Sequence, residues 1–208
     1  MAVKRKKTVK GKKKYKYTIV APQEFNNATL GVTLATEPEK ILGRTVVVSM
    51  KDLTGKLNMQ KKFVKFLISS VKGNTAYTIP YEQYLDKTYI KRLTRPRRSK
   101  VEVVYDLKTK DNQIVRMKAN IFTVKRISAE QKTSIIKETE KTLKQEALKK
   151  TYSAWVQDVV YGPIGSAVLK SCKKIVPIRR AEIRAMELRT KPMFTVEAAG
   201  VEEEMPSA

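Results

Sequence analysis

The sequence predicts an α+β fold, an antiparallel sheet or barrel closed by a helical layer, and three observations carry that expectation. Short runs rich in Val, Ile, Thr and aromatic residues fill most of the first 80 positions, helical periodicity dominates after residue 128, and one extended segment returns near residue 180. Strands first, helices later and a late strand is the order of an α+β domain rather than of an alternating α/β fold. At 208 residues the chain can bury a sizeable core, roughly 70% of its unfolded surface.

Taken in order, residues 17–20, 29–35, 44–50, 63–71 and 76–79 read as strands. Asn26-Asn27, Glu37-Pro38, Gly43, Gly55 and Gly73-Asn74 supply the turns between them. Residues 80–95 read as a helix that groups Tyr81, Tyr84, Leu85 and Ile90 on one side, and Pro96 stops it. Two longer strands follow, 101–107 and 113–124, joined by a hairpin turn at 109–112. In the second, Ile114, Arg116, Lys118 and Asn120 alternate with Val115, Met117, Ala119 and Ile121, the pattern of a half-buried strand with one wet, positive face.

Ser128 and Gln131 have capping-box spacing and open a helix to about Lys150. Its inward stripe is Ile135, Ile136, Leu143, Ala147 and Leu148, and Glu140–Lys144 and Glu146–Lys150 form i,i+4 pairs outside. A second helix, 152–161, carries Trp155, Val156, Val159 and Val160 and ends at Gly162-Pro163. A third spans 164–174, and 177–188 is extended. There is no internal repeat of 20–50 residues. The domain organisation expected is a basic disordered arm at 1–16, one α+β domain at 17–195 and an acidic flexible tail at 196–208.

Charge narrows the function. Lys plus Arg number 44 against 20 Asp plus Glu, a net +24, which calls for a polyanionic partner. Residues 1–16 hold nine basic residues and no acid, so the body alone keeps an excess of fifteen. His is absent and Cys172 is the only cysteine, which removes zinc fingers, Ser-His-Asp and Cys-His nucleophiles, His-ligated haem and internal disulfides. No apolar run approaches the ~18 residues of a membrane span, and Met1–Lys16 has no apolar h-region. Most enzyme classes fall with the missing residue types, and a soluble protein of a reducing compartment is expected, with no cofactor, no metal and no membrane partner.

Two basic groups are the candidate nucleic-acid contacts. The first is the arm, with Lys4, Arg5, Lys6, Lys7, Lys12, Lys13 and Lys14, where Gly11 offers a bend and Tyr15 and Tyr17 either stack on an unpaired base or begin the core. The second is Arg92, Arg95, Arg97, Arg98 and Lys100 around Pro96, since arginine's planar fork suits bidentate phosphate contact. Arg116, Lys118, Lys125 and Arg126 extend this surface if the fold brings them alongside. Gly162-Pro-Ile-Gly165 matches the GXXG letters of KH domains but reads as a helix stop. No phosphate loop or dinucleotide fingerprint occurs. Asp52, Glu102, Asp106, Asp111 and Asp158 read as partners for neighbouring cations, Cys172 and Trp155 as core.

Three longer stretches carry a resemblance: Ala21-Pro-Gln-Glu-Phe-Asn26, Gly31-Val-Thr-Leu-Ala-Thr36 and Gly43-Arg-Thr-Val-Val-Val-Ser-Met-Lys-Asp-Leu53. Ile175-Val176-Pro177 and Lys191-Pro192-Met193-Phe194 agree at the far end. Together they resemble the archaeal and eukaryotic small-subunit ribosomal protein family written S-three-a-e, or e-type S-one, over about residues 15–195. That resemblance implies a mainly antiparallel β-barrel core flanked by C-terminal α-helices, seated on the small-subunit platform near the mRNA exit and the 3′ end of the rRNA. It implies small-subunit rRNA and neighbouring platform proteins as partners, mRNA near the exit, no homo-oligomer and no catalysis. Both ends are shorter than in typical eukaryotic members, so an archaeal source and a cytoplasmic ribosome are expected. A binding module outside the ribosome shares these electrostatics, and a metal-dependent nuclease would need a ligand set that the spacing does not show.

Overall fold

The computed structural model describes residues 13–190 and 194–197. In chain order the elements are β1 (Tyr15–Val20), β2 (Thr29–Ala35), β3 (Thr45–Ser49), α1 (Met50–Thr54), β4 (Lys62–Lys72), β5 (Thr75–Leu85), α2 (Lys87–Leu93), β6 (Lys100–Lys108) and β7 (Ile114–Thr123). Then come α3 (Ala129–Lys149), α4 (Tyr152–Tyr161), α5 (Pro163–Cys172), β8 (Ile178–Leu188) and β9 (Thr195–Glu197). The α+β class holds. Of the expected arm, residues 1–12 lie outside the described residues, and the strand already begins at Tyr15. The expected acidic tail lies outside them from residue 198 on, as do Lys191, Pro192 and Met193.

The β4–β5 hairpin is the spine of one mixed sheet, antiparallel from Lys62 opposite Leu85 to Lys72 opposite Thr75. Along its free edge β5 bonds two strands in succession, β1 in parallel at Thr75–Tyr77 and β8 antiparallel at Glu82–Tyr84, so the sheet forks. One limb continues from β1 to β2, the other from β8 through β7 to β6. The far edge of β4 carries β3 and, in parallel, β9.

A barrel needs its last strand to bond its first, and among the described residues the ladder stays open, ending at β2, β3, β6 and β9. Helices cover the side that strands would have closed. Tyr105 of β6 donates to the carbonyl of Ile136 in α3 at 3.0 Å. Gly165 brings α5 so close to β8 that a Cβ there would lie 3.1 Å from the Ala181 carbonyl oxygen. The main core lies between these layers, with Trp155, Val156 and Val160 of α4 in the same buried cluster as Phe66, Met117, Ile121 and Met186 of the sheet. A smaller cluster, including Tyr17, Ile19, Ile41, Ile68 and Ala76, fills the β1–β2 limb. Leu85, Ile90 and Phe122 form a third, which seats α2.

One expected element is overturned. Residues 80–85 do not open a helix; they continue β5, and only Lys87–Leu93 is helical. Tyr81, Tyr84 and Leu85 have helical spacing by coincidence, whereas the buried positions 76, 78, 80, 83 and 85 follow a period of two with a single slip. The slip is a bulge: Lys65 faces Glu82 and Phe66 faces Pro80, leaving Tyr81 unopposed. A bulge accommodates Pro80, which has no N–H to give the ladder. β4 on one edge and β8 on the other hold 82–84 as a strand, and Asp86 caps α2 by accepting from the Thr88 N–H at 3.2 Å.

Smaller differences have equally local causes. β7 alternates as expected only to Lys118; a register shift against β8 follows, and Asn120 is buried along with every residue to Thr123. In α3 the capping box is present, but the buried stripe is Ile135, Thr139, Leu143 and Ala147, with Leu148 62% exposed. Thr139 replaces an apolar residue because its hydroxyl donates to the Ile135 carbonyl at 2.7 Å and leaves its methyl to the core. Cys172 is fully buried 3.4 Å from the Thr139 hydroxyl, and burial pushes its thiol pKa up. Gly162, at φ 103°, ends α4 and leads into Pro163 of α5, so the GXXG letters mark a helix stop.

Candidate nucleic-acid interface

The basic loop after α2 owes its position to one serine. Pro96 ends any helical continuation, and Arg97 takes a left-handed turn at φ 59°. The Ser99 N–H then donates to the Thr123 hydroxyl at 3.0 Å, the Thr123 N–H donates back to the Ser99 carbonyl at 3.0 Å, and the Ser99 hydroxyl accepts from Ile127 N–H at 3.2 Å. The buried Thr123 hydroxyl in turn donates to the carbonyl of Lys125 at 2.6 Å. These bonds fasten the arginine loop to the segment leaving β7, the segment that carries Lys125 and Arg126. Arg92, Arg95, Arg97, Arg98, Lys125 and Arg126 are all exposed. None of the six has an ion pair or a side-chain hydrogen bond among the described residues.

Arg116, Lys118 and Lys100 lie elsewhere, on the outer face of β6–β7–β8, and each has a carboxylate. Arg116 grips Asp106 with two bonds, Nε to Oδ1 and Nη2 to Oδ2, both 2.7 Å. Lys118 reaches Glu187 at 2.5 Å, and Arg189 reaches the other oxygen of Glu187 at 3.2 Å. Lys100 pairs with Glu102, which also has Arg184 at 3.7 Å. The Arg116 hydrogen bonds hold the Asp106 carboxyl below the usual carboxylate range, and the Lys100 bond does the same to Glu102. Cross-strand register builds this ladder, since Arg116 stands opposite Asp106 on one side and Glu187 on the other.

Of the arm, Lys4, Arg5, Lys6, Lys7 and Lys12 lie outside the described residues, whereas Lys13 and Lys14 are exposed at the start of β1. Lys13 stands 5.8 Å from the Tyr15 ring centre. The two tyrosines divide: Tyr17 points into the β1–β2 cluster and Tyr15 is 50% exposed.

Other carboxylates named from the sequence do structural work. Asp158 pairs with Lys150, and Asp111 accepts from the Tyr152 N–H at 2.9 Å, which ties the β6–β7 turn to the start of α4. Among the described residues no group of three acids and cysteines could hold a metal ion, and no helix is long and apolar enough to cross a membrane. Sequence reasoning missed Ser99 and Thr123, small hydroxyl residues that bond each other across 24 positions and leave no periodic trace, and it passed over Thr139, which has helical spacing but is polar.

The chain is 36% identical over 178 residues to small ribosomal subunit protein eS1 of Archaeoglobus fulgidus, covering 85% of this chain and 84% of that one. It is 33% identical over 198 residues to the protein of the same name from Methanothrix thermoacetophila, covering 95% and 94%. With that of Sulfolobus acidocaldarius it shares 34% over 195 residues, covering 92% and 99%. The model of the Ribosomal S3Ae family matches residues 2–192, nearly the whole folded chain together with the basic arm, and the protein therefore belongs to that family.

Proposed function

We propose that the protein is a structural constituent of the small ribosomal subunit that holds rRNA through phosphate contacts. Membership of a ribosomal structural family, with relatives named as small-subunit proteins, supports a non-catalytic role on the cytoplasmic ribosome. The protein's seat is the platform near the mRNA exit, with rRNA, platform proteins and nearby mRNA as neighbours.

The observation that carries the phosphate reading is the set of six uncompensated cations fastened to the sheet by Ser99 and Thr123. Each phosphate they neutralise releases condensed counterions, and a loop held at both ends loses little conformational freedom when RNA binds. No aromatic platform accompanies the arginines, so base identity is read little there and placement follows RNA shape. The single α+β body docks as a unit, while the arm adds sequence-independent charge.

Crosslinking in intact small subunits tests this. Arg95–Arg98, Lys125 and Lys13 should give RNA adducts, and the protein should stay with the subunit through a sucrose gradient at moderate salt. Free protein recovered in quantity from that gradient would favour a binding module that exchanges on and off the ribosome.

A further inference from the structure

A second basic feature lies away from the arginine loop, in a cleft of about 470 Å³ between the α4–α5 junction and the ends of β4 and β8. Lys61, Lys62, Arg179 and Arg180 line it, with Glu182 as the acid among them and Tyr161 at its rim. Glu182 is already shared. It accepts from the Tyr89 hydroxyl at 2.9 Å, and Lys61 and Arg180 lie 4.0 and 3.6 Å from it. The Tyr89 hydroxyl itself accepts from Lys61 at 2.9 Å and from Arg180 at 2.7 Å.

Lys62 and Arg179 have no carboxylate within salt-bridge distance among the described residues. Lys62 is the unusual member, because its residue is only 8% exposed and its ammonium donates to the carbonyl of Val160 in the last turn of α4. An ammonium has three protons to place, and the burial that lowers its pKa makes each unplaced one costly. It sits directly under the helix junction, 3.8 Å from where a Cβ on Gly162 would be. Tyr161, next in the chain, is 44% exposed, a large apolar ring with no cover at the mouth of a positive cleft.

We propose that this cleft receives one unpaired nucleotide of RNA, its phosphate on Lys62 and Arg179 and its base stacked on Tyr161. Cation and ring together select a nucleotide free of its duplex: a paired base has its faces stacked against neighbours, whereas a bulged one can leave. The first turn of α5, which opens at the same place, adds a positive end toward the phosphate. The proposal rests on the rRNA reading above but assigns to it a separate site, with a preference that the arginine loop does not have.

The test uses the full chain and two fluorescein-labelled RNA hairpins that differ by one bulged uridine, with binding read by fluorescence anisotropy. The unaltered protein should favour the bulged hairpin about tenfold, in line with one base stacked on an aromatic ring. The double variant Tyr161→Ala, Arg179→Ala changes exposed positions only and should lose that preference, binding the flush hairpin only as much more weakly as one lost cation accounts for. Arg95→Ala, Arg97→Ala, Arg98→Ala should weaken both hairpins and keep the ratio. Equal binding of the two hairpins by the unaltered protein overturns the cleft alone, as does a preference that survives in the Tyr161/Arg179 variant. Binding of neither hairpin overturns this proposal and the rRNA reading together. A glutamate-rich peptide that shifts the Gly162 and Gly165 amide resonances while the bulged RNA does not would make the cleft a protein-docking site and overturn it too.

Discussion

The 92–98 loop and the outer face of β6–β8 are built from the same kind of side chain and differ in what stands opposite. On the face, Arg116, Lys118 and Lys100 each have a carboxylate: Asp106 stands opposite Arg116, Glu187 lies within reach of Lys118 from the next strand, and Glu102 follows Lys100 two residues along β6. In the loop no strand runs alongside, and Arg95, Arg97 and Arg98 stand without acids among the described residues. An RNA phosphate that approached the face would have to displace a carboxylate already in place, and one that approaches the loop displaces only water and small ions. The difference teaches that the count of positive residues on a surface does not measure its appetite for polyanions; the count left uncompensated does.

The largest effect that could break the comparison is expected from Arg95→Ala, Arg97→Ala, Arg98→Ala. The log-log salt slope of binding to an rRNA fragment should flatten by up to about 3 units, with the thermal midpoint unchanged because the loop adds nothing to a core. An unaltered slope in a salt titration would remove the loop from the interface. Next, Asp106→Asn with Glu187→Gln should turn the face into a second uncompensated surface, and the slope should steepen by about 2 units as Arg116 and Lys118 become available. If it does not, geometry rather than compensation keeps the face from RNA.

The smallest effect is on acid stability. A carboxyl whose folded pKa is depressed contributes stability that is present above its ordinary value and disappears as pH falls through the folded one. Asp106 and Glu102 are both depressed, from 3.8 and 4.5 respectively, so the face should weaken below about pH 4.5 while the loop, which has no carboxyl partner, is indifferent. Thermal melts from pH 6 to pH 3 should show a slightly shallower acid limb for Asp106→Asn than for the parent. Parallel limbs would mean that this solvated pair contributes nothing measurable.

Local chemistry made much of the fold legible. The capping box at Ser128, the stop at Gly162, the 109–112 turn and the alternation of 114–118 all depend on residues within a few positions of each other. What failed depended on partners far away. Residues 82–84 are a strand because 63–65 and 185–187 lie on either side of them, Asn120 went inside because β8 slips register there, and the ladder stays open because no strand bridges its ends. At the candidate interface the charged residues were visible as letters. Which of them were already spoken for was not, since Arg116 and Glu187 are far apart in sequence and adjacent only across two strands.

The forked strand β5 also constrains how the chain reaches its native state during synthesis. The whole strand finds β4 within one hairpin, but the other edge of its second half waits for β8, whose Met186 pairs with Gln83 about 100 residues earlier. At ribosomal elongation rates that interval is roughly 5–20 s, during which the 82–84 margin offers unsatisfied amides and carbonyls to any passing polypeptide. Synthesis of β8 is thus what shields that margin, and a transcript truncated before codon 178 would yield a product with its adhesive edge permanently bare.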